Sequence, residues 1–122
     1  MTTFTNEGLL PPTTYGIPSG NYNGANTQFY GNAIPAANYY GGQGSAQTAM
    51  IQTTDFVGVL TIEGSLNDWT QQAEWFRIET YGNANVATTD TQAINMIGNF
   101  VWLRANVSSF TGGTINSANV IF

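Results

Sequence analysis

The chain has 122 residues, 7% of them charged, with no cysteine, histidine or lysine; Arg77 and Arg104 are its cations and the formal net charge is −5. An average soluble domain is about 25% charged, and clustered Lys/Arg is what replaces phosphate counterions or holds an anionic bilayer, so this composition excludes nucleic acid and a polybasic membrane contact as partners. It equally excludes Cys- or His-based nucleophilic triads and a transition-metal site of thiolate or imidazole type. The length allows one domain, and the strand-forming part from residue 51 onward is smaller still. A core of that size supplies about 3–5 kcal/mol without disulfides or a metal. Association with further subunits is the remaining route to stability.

The first 50 residues are rich in Gly, Asn, Tyr and Pro and carry one charge, Glu7. Met1–Leu10 has neither a basic region nor a long apolar run and does not read as a signal peptide. No apolar run reaches the ~18 residues that a spanning helix requires, and cysteine usage says little about compartment. A degenerate repeat aligns Ile17-Pro18-Ser19-Gly20-Asn21-Tyr22-Asn23-Gly24 with Ile34-Pro35-Ala36-Ala37-Asn38-Tyr39-Tyr40-Gly41, each copy following a Tyr-Gly step. Proline favours extended backbone and Asn23-Gly24 favours a turn. The segment reads as an extended arm, residues 1–50, that cannot fold on itself. Tyr15, Tyr22, Phe29, Tyr30, Tyr39 and Tyr40 read as anchors at an interface with neighbouring subunits, since tyrosine gives contact area at low entropic cost. Fully extended, such an arm reaches about 160 Å, at about 3.3 Å per residue. A disordered low-complexity tail is the plain alternative; a fibre-like stack is disfavoured by the prolines.

From residue 51 to 122 four segments read as strands: Thr54–Gly64, Trp75–Tyr81, Asn99–Val107 and Thr114–Phe122, with a weaker fifth at Thr91–Ile97. Phe56, Gly58, Leu60 and Ile62 share one face of the first; Phe76 and Ile78 oppose Arg77 and Glu79; Val101, Leu103, Ala105 and Val107 oppose Phe100, Trp102 and Arg104. Turn signals fall at Asn67-Asp68, Gly82-Asn83, Gly98-Asn99 and Gly112-Gly113, and Gln71–Trp75 has room for a short helical turn. Short strands spaced by turns predict an all-β fold, a small antiparallel β-sandwich of jelly-roll-like type with six to eight strands if the arm contributes one or two.

The string Asp55-Phe56-x-Gly58-x-Leu60-x-Ile62-Glu63-Gly64-Ser65-Leu66, then Glu74-Trp75-Phe76-x-Ile78, then Gly98-Asn99-Phe100-Val101-Trp102-Leu103-Arg104-Ala105-x-Val107 and Gly113-Thr114-Ile115, resembles small β-sandwich virion proteins of tailed bacteriophages of marine and cyanobacterial hosts. The resemblance covers about residues 54–122 and brings no active site. It implies a virion structural protein, with capsid decoration, neck, tail, baseplate and fibre-associated modules all within its range, made in the host cytoplasm and located in the virion.

Glu63, Glu74, Glu79, Asp55 and Asp68 could form a glycosidase-like carboxylate pair, but they are too few and lack a substrate-binding domain, and they read as surface groups. A calcium site on Asp/Glu and backbone carbonyls stays open as an alternative, though no Asp-x-Asp-x-Asp-Gly loop marks one. Arg77 and Arg104, each inside a strand pattern, are expected to pair with Glu63 or Glu79 in partly buried bridges, simple exposure being the alternative. Trp69, beside a turn, is the candidate sugar contact, Trp102 reads as core or subunit contact, and Asn106-Val107-Ser108 carries no meaning as a sequon in a bacterial host. The expectation is therefore a non-enzymatic protein without cofactors, a cement or decoration subunit forming a homo-oligomer, a trimer by guess, on a major capsid protein or another virion protein. A tail subunit, a self-assembling extracellular filament and a carbohydrate-binding module are the rivals.

Overall fold

A computed structural model describes residues 6–36, 46–66 and 74–122. Every regular element in them is a strand: β1 (Asn6–Leu10), β2 (Thr13–Thr14), β3 (Phe29–Tyr30), β4 (Ile34–Pro35), β5 (Ala46–Ser65), β6 (Phe76–Ile97) and β7 (Trp102–Ile121). All pairings are antiparallel and make one sheet, in which β5 lies between β6 and β7. The far side of β7 is taken up in turn by β1 at Ala118–Ile121, β2 at Thr114 and Ile115, β3 at Asn106 and Val107, and β4 at Trp102 and Leu103. The chain is thus all-β and antiparallel, as its alternation predicts.

Its strands are longer than the sequence pattern implies. Trp75–Tyr81, from Phe76 onward, and Thr91–Ile97 are the two ends of β6, and Asn99–Val107 and Thr114–Phe122 fall largely on the two ends of β7. Gly82-Asn83 and Gly112-Gly113 lie inside strands, where they bend the backbone instead of reversing it. Gly98-Asn99 does connect two strands, while Asn67-Asp68 and most of the expected helical turn lie outside the described residues.

A straight strand of 20 residues would measure about 66 Å at about 3.3 Å per residue, several times the ~13 Å radius of gyration of a compact chain of this order of length. The three long strands therefore bend, and they do so at one level. On β5 the register slips between Thr53 and Gly58, on β6 residues 84–87 loop out between the partners of Phe56 and Gly58, and on β7 residues 109–111 loop out between the partners of Val57 and Val59. Asp55 and Ser109 take the left-handed backbone conformation there, with φ of 51° and 53°. On β5 the slip between Thr53 and Phe56 adds one residue relative to β6, which shifts the side-chain alternation. Along β5 the buried positions are accordingly Gln47, Ala49, Ile51 and Thr53 before the bend and Phe56, Gly58, Leu60, Ile62 and Gly64 after it. Gly113 has φ of 83°, and a Cβ there would run into the Asp55 carbonyl. The bend brings the ends of β7 together far enough for β1 and β4, paired with its opposite ends, to touch. Gly31 sits at this closure, where a Cβ would collide with the Leu9 carbonyl.

Phe110, fully buried at the bend, is the hub of the core. Its ring centroid lies 5.7 Å from Tyr15, 5.2 Å from Tyr22, 5.9 Å from Phe29 and 5.7 Å from Phe56. Buried polar groups are satisfied at the same level: the Thr53 hydroxyl donates to the Thr88 carbonyl at 2.9 Å and so accepts from the Tyr81 hydroxyl at 2.7 Å. At the sheet's end, the Gln47 amide donates to the carbonyls of Met96 at 3.0 Å and Gly98 at 3.3 Å.

This arrangement corrects the reading of the first 50 residues as an arm unable to fold on its own chain. Residues 6–36 hydrogen-bond to β7 and contribute Leu9, Leu10, Tyr22, Phe29, Ile34 and Ala36 to the core. The physical reason is that β7 has two edges: β5 fills one, and the N-terminal strands are what remains to satisfy the other. The boundary at residues 50 and 51 falls inside β5. Deletion of residues 1–36 is therefore expected to abolish folding, seen as loss of a cooperative thermal transition by circular dichroism. Phe110→Ala should cost about 3–5 kcal/mol in urea unfolding, the range for a large buried ring.

Candidate functional site

The notable side-chain cluster lies on the outer face of the sheet, beyond the bend. Leu103 and Ala105 point inward, so strand alternation turns Arg104 outward. Glu63 is its directly paired neighbour on β5. Arg104 Nε donates to Glu63 Oε1 at 2.7 Å, with the two side chains 24% and 15% exposed. The guanidinium also stacks on two rings, 4.3 Å from the centroid of Tyr30 in β3 and 4.4 Å from that of Trp75, just before β6. Asn106 Nδ2 reaches Glu63 Oε2 at 3.5 Å, and Gln28 Nε2 lies 3.4 Å from the Tyr30 hydroxyl and 3.5 Å from Asn106 Oδ1. One cation thus joins β3, β5, β7 and the entry to β6. A guanidinium suits this because it is planar and weakly hydrated, so it can stack and donate at once.

The candidate residues fall into distinct places. Glu63 pairs across the sheet with Arg104 on one side and with Arg77 on the other. Among the described residues, however, the ion pair formed is that of Arg104. A register shift between Ile62 and Glu63 sets Glu79 opposite Ile62 and Arg77 opposite Glu63, so Arg77 and Glu79, both exposed, lie on different faces. The expected bridge through Arg77 or Glu79 is not formed among the described residues: Glu63, opposite Arg77, has its carboxylate engaged on the other side by Arg104 and Asn106.

Of the aromatic residues read as anchors on a neighbour, Tyr22 is 1% exposed and Phe29 5%, inside the chain's own core. The Tyr22 hydroxyl accepts from Gly16 N at 2.9 Å. Tyr15 packs edge-on against Phe110 yet stays 47% exposed, and Tyr30 covers Arg104 while 40% exposed. Tyr39, Tyr40 and Trp69 lie outside the described residues. Trp102 is half-buried at the start of β7, opposite Pro35 and Ser65.

Among the carboxylates, Asp55 accepts from the Thr89 hydroxyl at 3.3 Å, and that hydroxyl accepts from Asp55 N at 2.8 Å, closing the bulge. A surface cavity of about 260 Å³ opens between β1, the turn at Ser19–Asn21 and the stretch from Phe29 to Asn32. It falls below the ~300–1,000 Å³ of drug-sized ligand sites, and its polar rim is engaged internally, Asn21 Nδ2 donating to the Tyr30 carbonyl and to Asn32 Oδ1, each at 2.9 Å.

The partners of Arg104 that sequence reasoning missed are Tyr30 and Trp75. The outward position of Arg104 was available from alternation, but the register that brings Tyr30 and Trp75 over it is set by pairings across the whole chain. No protein-family model and no characterised protein matches this sequence, and no solved structure matches the fold.

Arg104→Lys keeps the charge and loses the stacking on both rings, and is expected to cost about 1–3 kcal/mol in urea unfolding. In a double-mutant cycle with Tyr30→Leu, a coupling of about 0.5–1 kcal/mol is expected; additive effects would show that the stacking contributes nothing.

Proposed function

We propose that this chain is a non-enzymatic structural protein of a virion, most simply a decoration or cement subunit that binds a capsid shell as a homo-oligomer. The contact between β1 and β4 supports treating the bent sheet as a two-layer, jelly-roll-like sandwich. The observation that carries the reading is a charge-poor body with large apolar side chains on its outside: Ile17 is 60% exposed, Leu66 60%, Val86 61% and Ile97 82%, beside the half-exposed Tyr15. Cores of protein interfaces are depleted in charge and enriched in aromatic side chains, and a cement protein needs such surface instead of chemistry. The likeness of residues 54–122 to phage virion sandwiches points the same way.

The role of the N-terminal segment changes in this reading. It does not reach across neighbours as a strap over residues 6–36; it is the outer strip of the sheet, and its exposed Tyr15 and Ile17 form the docking face. Multivalency then comes from several bodies in one oligomer, each raising the effective concentration of the next contact.

Co-sedimentation of the purified protein with shells of the phage that encodes it tests the reading. The wild type should pellet with capsids, and Ile17→Lys, with unchanged melting, should bind about tenfold more weakly, about 1.4 kcal/mol. Recovery with tails instead of heads would move the chain to the tail, neck or fibre. Absence of its peptides from gradient-purified virions would overturn the virion assignment.

A further inference from the structure

The two edges of the sheet are built differently. The strip β1–β4 is broken into strands of two to five residues and carries Pro11, Pro12, Pro18 and Pro35 on or between them, which blunts it against pairing. The opposite edge is β6, 22 residues long, and among the described residues no strand pairs on its far side. Its first part is protected by the charges of Arg77 and Glu79 and by the bulge at Ile78, and its middle by the excursion of residues 84–87. The last part has no such device. Thr91-Gln92-Ala93-Ile94-Asn95-Met96-Ile97 contains no charge, glycine or proline, is regularly paired with β5 from Ala46 to Gln52, and ends on Ile97, 82% exposed. An uncharged, regular run of seven residues on an open edge is the signature of a strand that takes another strand.

We propose that residues 91–97 of β6 pair antiparallel with the same residues of a second copy, joining two sheets about a two-fold axis. Charge selects this occupant. A basic or acidic partner strand finds no counter-charge on the run, whereas a second copy is neutral against neutral. Centred on Ile94, the pairing sets Ile94 against Ile94 and Gln92 against Met96 on the inner face, and Ala93 against Asn95 and Thr91 against Ile97 on the outer. Each Asp90, the nearest charge, then stands about 26 Å from its copy, at about 3.3 Å per residue, well beyond the ~8 Å screening length of physiological salt. The inference rests on the homo-oligomer part of the proposed function and not on the shell.

Light scattering on the size-excluded full-length protein, without capsids, should give twice 13.1 kDa. Thr91→Lys and Ala93→Lys, both at exposed outer-face positions, should weaken dimerisation at least about tenfold, leaving monomers of unchanged melting temperature. Asn85→Lys, in the excursion, should remain dimeric. Amide exchange of residues 91–97 should slow with protein concentration. A wild type that stays monomeric at about 100 times the concentration typical of a 1 μM complex overturns the pairing while leaving capsid binding to be judged by co-sedimentation. A dimer unaffected by either lysine, or one whose concentration-dependent protection maps to residues 76–82 or to β1, overturns it as well.

Discussion

The structure turns on one strand that has to be bent. β7 spans Trp102–Ile121 and pairs along both edges, with β5 on one side and four short N-terminal strands on the other. Left straight, it would expose both faces of the sheet. Folding at Ser109–Gly113, level with the slips in β5 and β6, closes the sheet over its own apolar side and puts Phe110 at the centre of five aromatic rings with Tyr15, Tyr22, Phe29 and Phe56. The bulges keep the apolar residues of both halves on the inside, because an alternation of period two would otherwise turn half of them outward after the bend.

The N-terminal segment follows from that constraint. A bent strand cannot be matched by one straight partner, and the far edge of β7 is met instead by a succession of short strands joined by turns. The prolines and the Asn-Gly step that make this stretch look linker-like supply those turns. The Asn23 side-chain oxygen accepts from Ala25 N and Asn26 N, each at 2.8 Å, fixing one of them. The repeat built on Ile-Pro gives two uses of one pattern: Ile34 is buried in β4, while Ile17 is left exposed at a turn.

Charge is used sparingly, and among the described residues it forms an ion pair at Arg104 and Glu63. Arg104 joins the N-terminal strip, through Tyr30, to the entry of β6, through Trp75, and to Glu63 between them. Half-buried pairs add little to stability by Coulomb attraction alone, and the stacking and the shared register give this one its consequence. The same economy leaves a surface with few charges to repel other protein surfaces, and one sheet edge with none over seven residues.

Alternation in the sequence alone determined the all-β character, the inward set Phe56, Leu60, Ile62, Leu103, Ala105 and Val107, and the outward position of Arg104. Those are local properties, carried by a period of two over a few residues. What the sequence did not show is that the far edge of β7 is paired by the chain's own first third. Whether Gly82-Asn83 and Gly112-Gly113 reverse the chain or only bend it, whether Tyr22 and Phe29 reach a neighbour or the core, and which carboxylate Arg104 meets all depend on pairings between residues up to 100 or more positions apart. A glycine in the left-handed conformation serves a turn and a bulge equally well, and only the strand lying beside it decides between them.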